Sequence, residues 1–218
     1  MNYGIYNYYL NGKPTGIIET FNVSILPDGS KLTESIRDAK SFKTEITVKT
    51  IERENKFQRL EIRFVNQNRV HAVYKFFEKE FLFVHENFDK KTTSETFDLP
   101  ENCVIFPLMR CFQGQTILQV AQNQTITPVL VPDIQNPNDI ENWLKPTFDE
   151  RTAQNLGRET IAFYEPESVS IEANLYQYKS KHYDQNSQFW IDDKGLLIAY
   201  RFAQSADKIW EIRMESSL

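Results

Sequence analysis

The chain is poor in cysteine, histidine and glycine, carries no excess of basic residues, and has no long apolar run. Its only cysteines are Cys103 and Cys111, too few for the disulfide framework of a small secreted scaffold. The segment that holds them reads as helix, and a helical rise of about 1.5 Å per residue separates them by about 12 Å, beyond the roughly 7 Å reach of a disulfide. Reduced, buried thiols are therefore expected. His71, His85 and His182 are the three histidines, and none pair at the i, i+2 or i, i+4 spacing that metal ligands on one element need. They read as structural histidines, satisfied or exposed.

A formal net charge of −5 leaves no basic face for phosphates, so a nucleic-acid partner is not expected. No stretch approaches the roughly 18 apolar residues of a membrane span, and no transmembrane segment is expected. The opening MNYGIYNYYLNGKPTG lacks a basic region, a continuous apolar core and a small-residue cleavage site. A cytoplasmic protein is the expectation, although a chain whose signal peptide had been replaced by Met1 would read the same. There is no G-x-S-x-G, phosphate-binding loop, dinucleotide fingerprint or zinc-protease motif. Gly12-Lys13-Pro14-Thr15-Gly16 has the wrong length for a phosphate loop, and its proline removes an amide. No cofactor, metal or catalytic residue is assigned.

What the chain does have is aromatic and β-branched residues: sixteen Phe and ten Tyr against seven Gly, a balance that favours strands. Tyr3–Leu10 and Gly16–Leu26 flank the turn signal Asn11-Gly12, and Pro27-Asp28-Gly29-Ser30 makes a second turn. Lys43–Ile51, Leu60–Val65, Val70–Phe77 and Phe81–Phe88 continue as an antiparallel meander. Leu60, Ile62 and Phe64 share one face against Glu61 and Arg63. Phe76-Phe77 and Phe81–Val84 are apolar on both faces, as a sheet covered by a helix or a ligand would be; burial by the chain's own residues is the plainer reading.

The middle reads as a helix from the Asp98 cap through Val104, Leu108, Met109 and Phe112, kinked at Pro107 and stopped at Gly114. Arg110 lies between Met109 and Cys111; a buried arginine needs an anionic partner, either a chain carboxylate or a ligand head, whereas exposure near the helix end needs none. Strands are expected at Thr116–Ala121 and Thr125–Val131. The polar, proline-rich stretch Pro132–Pro146 follows as a mobile loop or lid, with a short helix Asn138–Leu144 anchored by Trp143 and Leu144. Arg158–Tyr164, Ser168–Tyr183, the hairpin Gln188–Phe202 and Lys208–Met214 complete the strands. In the hairpin, Asp192-Asp193-Lys194-Gly195 is a tight loop whose aspartates bond backbone rather than act as paired catalytic carboxylates. Tyr176, Tyr178, His182, Tyr183 and Asp184 form the densest polar-aromatic cluster, an ordinary outer surface or, if inward, a pocket lining.

Tyr178–Asp184, Phe189-Trp190-Ile191-Asp192, Gly195-Leu196-Leu197 and Tyr200 together resemble the closing strands of LolA-like proteins, a superfamily of lipoprotein carriers and bacterial families of unknown function. The resemblance spans about thirty residues; the Asn11-Gly12 hairpin and the central helix fit it loosely. It implies an incomplete antiparallel barrel closed by helices around an apolar cavity for acyl chains. The absence of a signal peptide departs from a lipoprotein-transfer role.

The expectation is a mainly β (α+β) protein, residues 1–218 in a single domain, with a curved antiparallel sheet or incomplete barrel closed by one or two short helices. Its expected function is non-enzymatic binding of an apolar, lipid-like small molecule. Phe76, Phe81, Phe83, Leu108, Phe112, Trp190 and Tyr200 would hold the apolar part, and Arg110, Tyr176 and Tyr178 the polar head. The alternatives are an interaction module with a filled barrel, whose sheet edge or Trp143 loop binds a protein partner, and an enzyme in which Arg110, His182 and Tyr176 converge.

Overall fold

A computed structural model describes residues 3–87, 89–134, 140–163, 169–181, 186–205 and 208–215. Its strands are β1 (Tyr3–Leu10), β2 (Lys13–Ile25), β3 (Lys31–Ala39), β4 (Thr44–Arg53) and β5 (Lys56–Val65). They continue with β6 (Arg69–Phe76), β7 (Glu80–Glu86), β8 (Thr92–Asp98), β9 (Val104–Ile105) and β10 (Thr127–Pro132). The last are β11 (Pro146–Phe163), β12 (Val169–Lys179), β13 (Gln188–Ile191), β14 (Leu197–Ser205) and β15 (Lys208–Glu215). One α-helix, α1 (Arg110–Asn123), lies between β9 and β10.

Among the described residues all fifteen strands belong to one sheet, in the order β8-β7-β6-β5-β4-β3-β2-β1-β15-β14-β13-β12-β11-β10-β9. Two meanders are thus joined where β1 pairs with β15. Every pairing is antiparallel except β9 with β10. The curved sheet does not close into a barrel, because β8 and β9 end it on opposite sides. No helix among the described residues is long and apolar enough to cross a membrane.

The inner face follows from strand alternation. Tyr6 and Tyr8 on β1, Leu60, Ile62 and Phe64 on β5, Tyr74 and Phe76 on β6, and Phe81 and Phe83 on β7 are all buried. Their neighbours Arg59, Glu61 and Arg63 form an ion cluster on the outer face, as the alternation predicts. The turns also follow their chemistry: Asn11, Gly12, Gly29 and Gly195 take positive φ, and Asp28 accepts the Ser30 amide at 3.0 Å. Asp192 accepts the amides of Lys194 and Leu196, at 2.9 and 2.7 Å.

The middle segment departs from the sequence reading. No helix spans Pro100–Phe112; the chain there is extended, and Val104–Ile105 pairs parallel with β10. Pro107 lacks the amide a helix would use and biases Phe106 to extended backbone. Leu108 then adopts a left-handed φ of 64°, so α1 can begin only at Arg110. Gly114 sits inside the helix, which ends instead at a left-handed Gln124. Thr116–Ala121 is helical, with Thr116, Ile117 and Val120 on the buried side. Cys103 and Cys111 consequently do not share a helix; both are free thiols, and burial pushes the Cys103 thiol up to about 11.

Two strands, Lys31–Ala39 and Thr92–Asp98, fall where no strand was expected, and β11 begins at Pro146 rather than Arg158. The helix expected at Asn138–Leu144 is a 3-10 turn over Ile140–Asn142; residues 135–139 lie outside the described residues. Trp143 and Leu144 sit as the anchors that the sequence reading made them. Both are buried, and the Trp143 ring meets Phe64 edge-on at 4.6 Å. The His85 ring nitrogen Nε2 lies 2.9 Å from the Trp143 carbonyl, and the Tyr74 hydroxyl donates to the Leu144 carbonyl.

Candidate functional site

The start of α1 has no side-chain cap of its own, because Met109 occupies the N-cap. Glu19 on β2 supplies one from across the fold: its carboxylate accepts the amides of Arg110 at 2.5 Å and Cys111 at 3.2 Å. The same carboxylate receives the Arg37 guanidinium at 2.7 Å and the Tyr8 hydroxyl at 2.9 Å. Arg37 also donates to the Leu108 carbonyl at 2.8 Å, which the left-handed turn of Leu108 presents. Burial opposes the charge of Arg37, but Tyr8 and Glu19 outweigh it and raise its pKa. Burial likewise pushes the Tyr8 phenol up. Glu19 has no exposed surface, so this cluster pins the helix inside the sheet.

A second constraint holds the other side of the helix. A Cβ at Gly114 would collide with the Gly195 carbonyl oxygen and lie 2.8 Å from the Leu197 amide. Only glycine allows α1 to touch the tip of the β13–β14 hairpin this closely. Gln115 secures the crossing by donating to the Lys194 carbonyl at 3.0 Å.

Pinned in this way, α1 leaves a cleft of about 730 Å³ between itself, β2–β5 and the hairpin tip. Its floor includes Phe21, Phe112 and Met214, all buried. Val23, Phe57 and Leu118 extend the apolar surface toward the opening. Phe57 reaches it through a register shift in the pairing of β4 with β5, where Ile51 opposes Arg59 but Glu52 opposes Phe57. Strict alternation from Leu60 would have turned Phe57 outward, and the bulge re-aims it. Its ring then meets Phe76 and Phe112, each at 6.3 Å. The rim is polar: Lys31 pairs with Glu52 at 2.9 Å on the sheet side, and Gln115, Gln119 and Gln122 line the helix side.

The candidates read from the sequence are distributed differently. Phe76, Phe81 and Phe83 pack into an aromatic cluster with Tyr74 and Phe97 and do not line the cleft. Leu108 serves through its carbonyl. Arg110 lies in the first helical turn, its guanidinium 4.7 Å from the Tyr200 ring centroid and bonded to Gln113. The expectation of exposure at a helix end rested on the misplaced helix. Tyr178 is fully buried, its hydroxyl accepting from Arg151 at 2.6 Å in an inner cluster with Asp149. Tyr176 accepts from Asn155 at 3.2 Å and lines a separate groove of about 390 Å³ beside Leu118 and Ala153.

Trp190 and Tyr200 stand on opposite faces of the hairpin, since Phe189 is the register partner of Tyr200 and Trp190 that of Ala199. The Trp190 indole donates to Glu159. Of the sequence candidates, Phe112 alone lines the cleft. His182, Tyr183 and Asp184 lie outside the described residues. Among the described residues, no three His, Cys, Asp or Glu side chains gather as a metal site would require.

Another groove, of about 350 Å³, crosses the outer face of β4–β7. Within it Glu61 bonds His71 at 3.0 Å and Arg63 at 3.2 Å, and from beside it Arg59 at 2.9 Å. Burial would raise the Glu61 pKa, but these hydrogen bonds prevail and lower it. That groove has no apolar floor comparable to that of the cleft.

No protein-family model matches the chain, and no curated protein sequence matches it. Among solved structures it is similar to a β-barrel-like protein of the domain of unknown function DUF1849 from Brucella abortus. The TM-score is 0.56 at 8% sequence identity, covering 99% of this chain and 95% of that one. The two share a fold of the barrel type.

Proposed function

We propose that the protein is a non-enzymatic binding protein or carrier for an apolar, lipid-like small molecule, seated in the cleft beside α1. The observation that carries this reading is the cleft's construction, an apolar floor beneath a polar rim. Its volume of about 730 Å³ falls in the range of small-molecule sites. Burial of an acyl chain against Phe57, Phe112 and Leu118 would supply roughly 25 cal/mol per Å² before the losses of binding. The resemblance of the closing strands to LolA-like proteins points the same way, and so does the barrel-type fold, by analogy alone. The DUF1849 protein is itself of unknown function by its description and adds no ligand.

The deep interior is not offered as the binding space, because the aromatics expected to line it fill it: Phe76, Phe81 and Phe83 are between 0% and 7% exposed. A filled interior also suits the interaction-module reading; burial of Trp143 removes the apolar patch expected at that loop, which leaves the sheet edges at β8 and β9 as its partner surface. Native mass spectrometry of the purified protein tests the proposal. A co-purifying small molecule, or a rise in melting temperature with added amphiphiles, is expected. An empty protein that no amphiphile stabilises would sink the carrier reading.

A further inference from the structure

The rim of the cleft carries a second message, about the head group of the molecule it takes. Four charged side chains line the cleft, Lys31, Lys194, Glu52 and Asp192. Lys31 is neutralised by Glu52 at 2.9 Å. Asp192 spends its carboxylate on the Lys194 and Leu196 amides, and Lys194 stands exposed at the hairpin tip, where solvent and salt screen it. The formal charges of the lining sum to zero, and Lys194, which has no ion-pair partner among the described residues, stands at the exposed tip.

Hydrogen-bonding capacity is instead concentrated in uncharged groups. Gln115, Gln119 and Gln122 follow one another at helical spacing along the cleft side of α1. Gln115 is engaged with the Lys194 carbonyl, whereas Gln119 and Gln122 have no hydrogen-bond partner among the described residues. Each free carboxamide offers two donors and an acceptor. Asn55 and Thr33 face them from the sheet side. Glu52, a residue 9% exposed, adds a carboxylate acceptor for hydroxyls.

We infer that the ligand is an amphiphile with an uncharged, hydroxyl-rich head, such as a glycosyl or glyceryl lipid, whose hydroxyls bond Gln119, Gln122 and Glu52 while its chain covers Phe57 and Phe112. This rests on the cleft being the binding site, as proposed above. A carboxylate head would find Lys31 already paired with Glu52 and only the solvent-screened Lys194 at the hairpin tip, and each hydroxyl lost from the head leaves a carboxamide to water rather than to ligand.

The test is calorimetric titration of the full chain, below micelle formation, with dodecyl glucoside, monododecanoylglycerol and dodecanoate. At least one uncharged probe is expected to bind about tenfold more tightly than dodecanoate, the effect of one or two net hydrogen bonds. The double variant Gln119→Leu/Gln122→Leu, altered at two positions outside the fully buried core, is expected to abolish that preference while retaining dodecanoate binding. Equal or tighter binding of dodecanoate overturns the head-group inference and leaves the cleft reading standing. A preference that survives the double variant also overturns it. Absence of binding by all three probes overturns both.

Discussion

The Glu19 carboxylate on β2 and the Arg37 guanidinium on β3 meet at 2.7 Å beneath the first turn of α1. Glu19 has no exposed side-chain surface and Arg37 has 15%, so each charge depends on the other. Because Glu19 also accepts two helix amides, the pair couples the sheet to the element that forms the cleft wall.

Glu19→Gln leaves the Arg37 charge buried without a counter-charge and is expected to cost about 3–5 kcal/mol of stability. Tyr8→Phe, which removes one hydrogen bond to the same carboxylate, is expected to cost about 1 kcal/mol. Urea unfolding monitored by fluorescence separates the two. A Glu19→Gln protein as stable as the wild type would show that the pair does not anchor the helix.

Gly114→Ala sets two effects against each other. Helix propensity favours alanine by about 1 kcal/mol, but the new Cβ meets the Gly195 carbonyl and the Leu197 amide. The backbone clash is expected to win, with a net loss of about 1–3 kcal/mol and a lower thermal midpoint. A higher midpoint would mean that the helix and hairpin are not in contact.

His85 gives stability a pH dependence. Burial lowers its pKa from the ordinary 6.5, with the hydrogen bond to the Trp143 carbonyl opposing the shift only in part. The unfolded chain therefore binds the proton more readily than the folded one. The associated stability is present in full above about pH 6.5 and is lost as the pH falls through the depressed folded value. Thermal midpoints between pH 8 and pH 5 are expected to fall on acidification, and less steeply in His85→Gln. Identical slopes in both proteins would assign the acid sensitivity to other groups.

The sheet was legible wherever local pattern and tertiary placement agree. Leu60, Ile62 and Phe64 alternate cleanly, and Asp192 and Gly195 mark their turn by side-chain bonding and positive φ. The helix was not legible, because its two determinants are distant in sequence. Its cap is Glu19, about ninety residues away, and its tolerance of Gly114 is set by Gly195. Reading Thr116–Ala121 as a strand hid the helical spacing of Gln115, Gln119 and Gln122, and with it a wall of the cleft. Phe57 was hidden by a bulge that alternation cannot foresee. Of the aromatic residues singled out as ligand contacts, Phe76, Phe81 and Phe83 are buried in a cluster around Tyr74, the commoner fate of such side chains.

The location of the binding site is tested most directly by photoaffinity labelling. Diazirine-bearing alkyl probes with a glucoside or a carboxylate head, followed by peptide mapping, report which side chains touch the chain of the ligand. Labels are predicted on the peptides carrying Phe57 and Phe112–Leu118, competed away by unlabelled amphiphile. Labels confined to the outer face of β4–β7, or scattered without competition, would contradict a binding cleft beside α1.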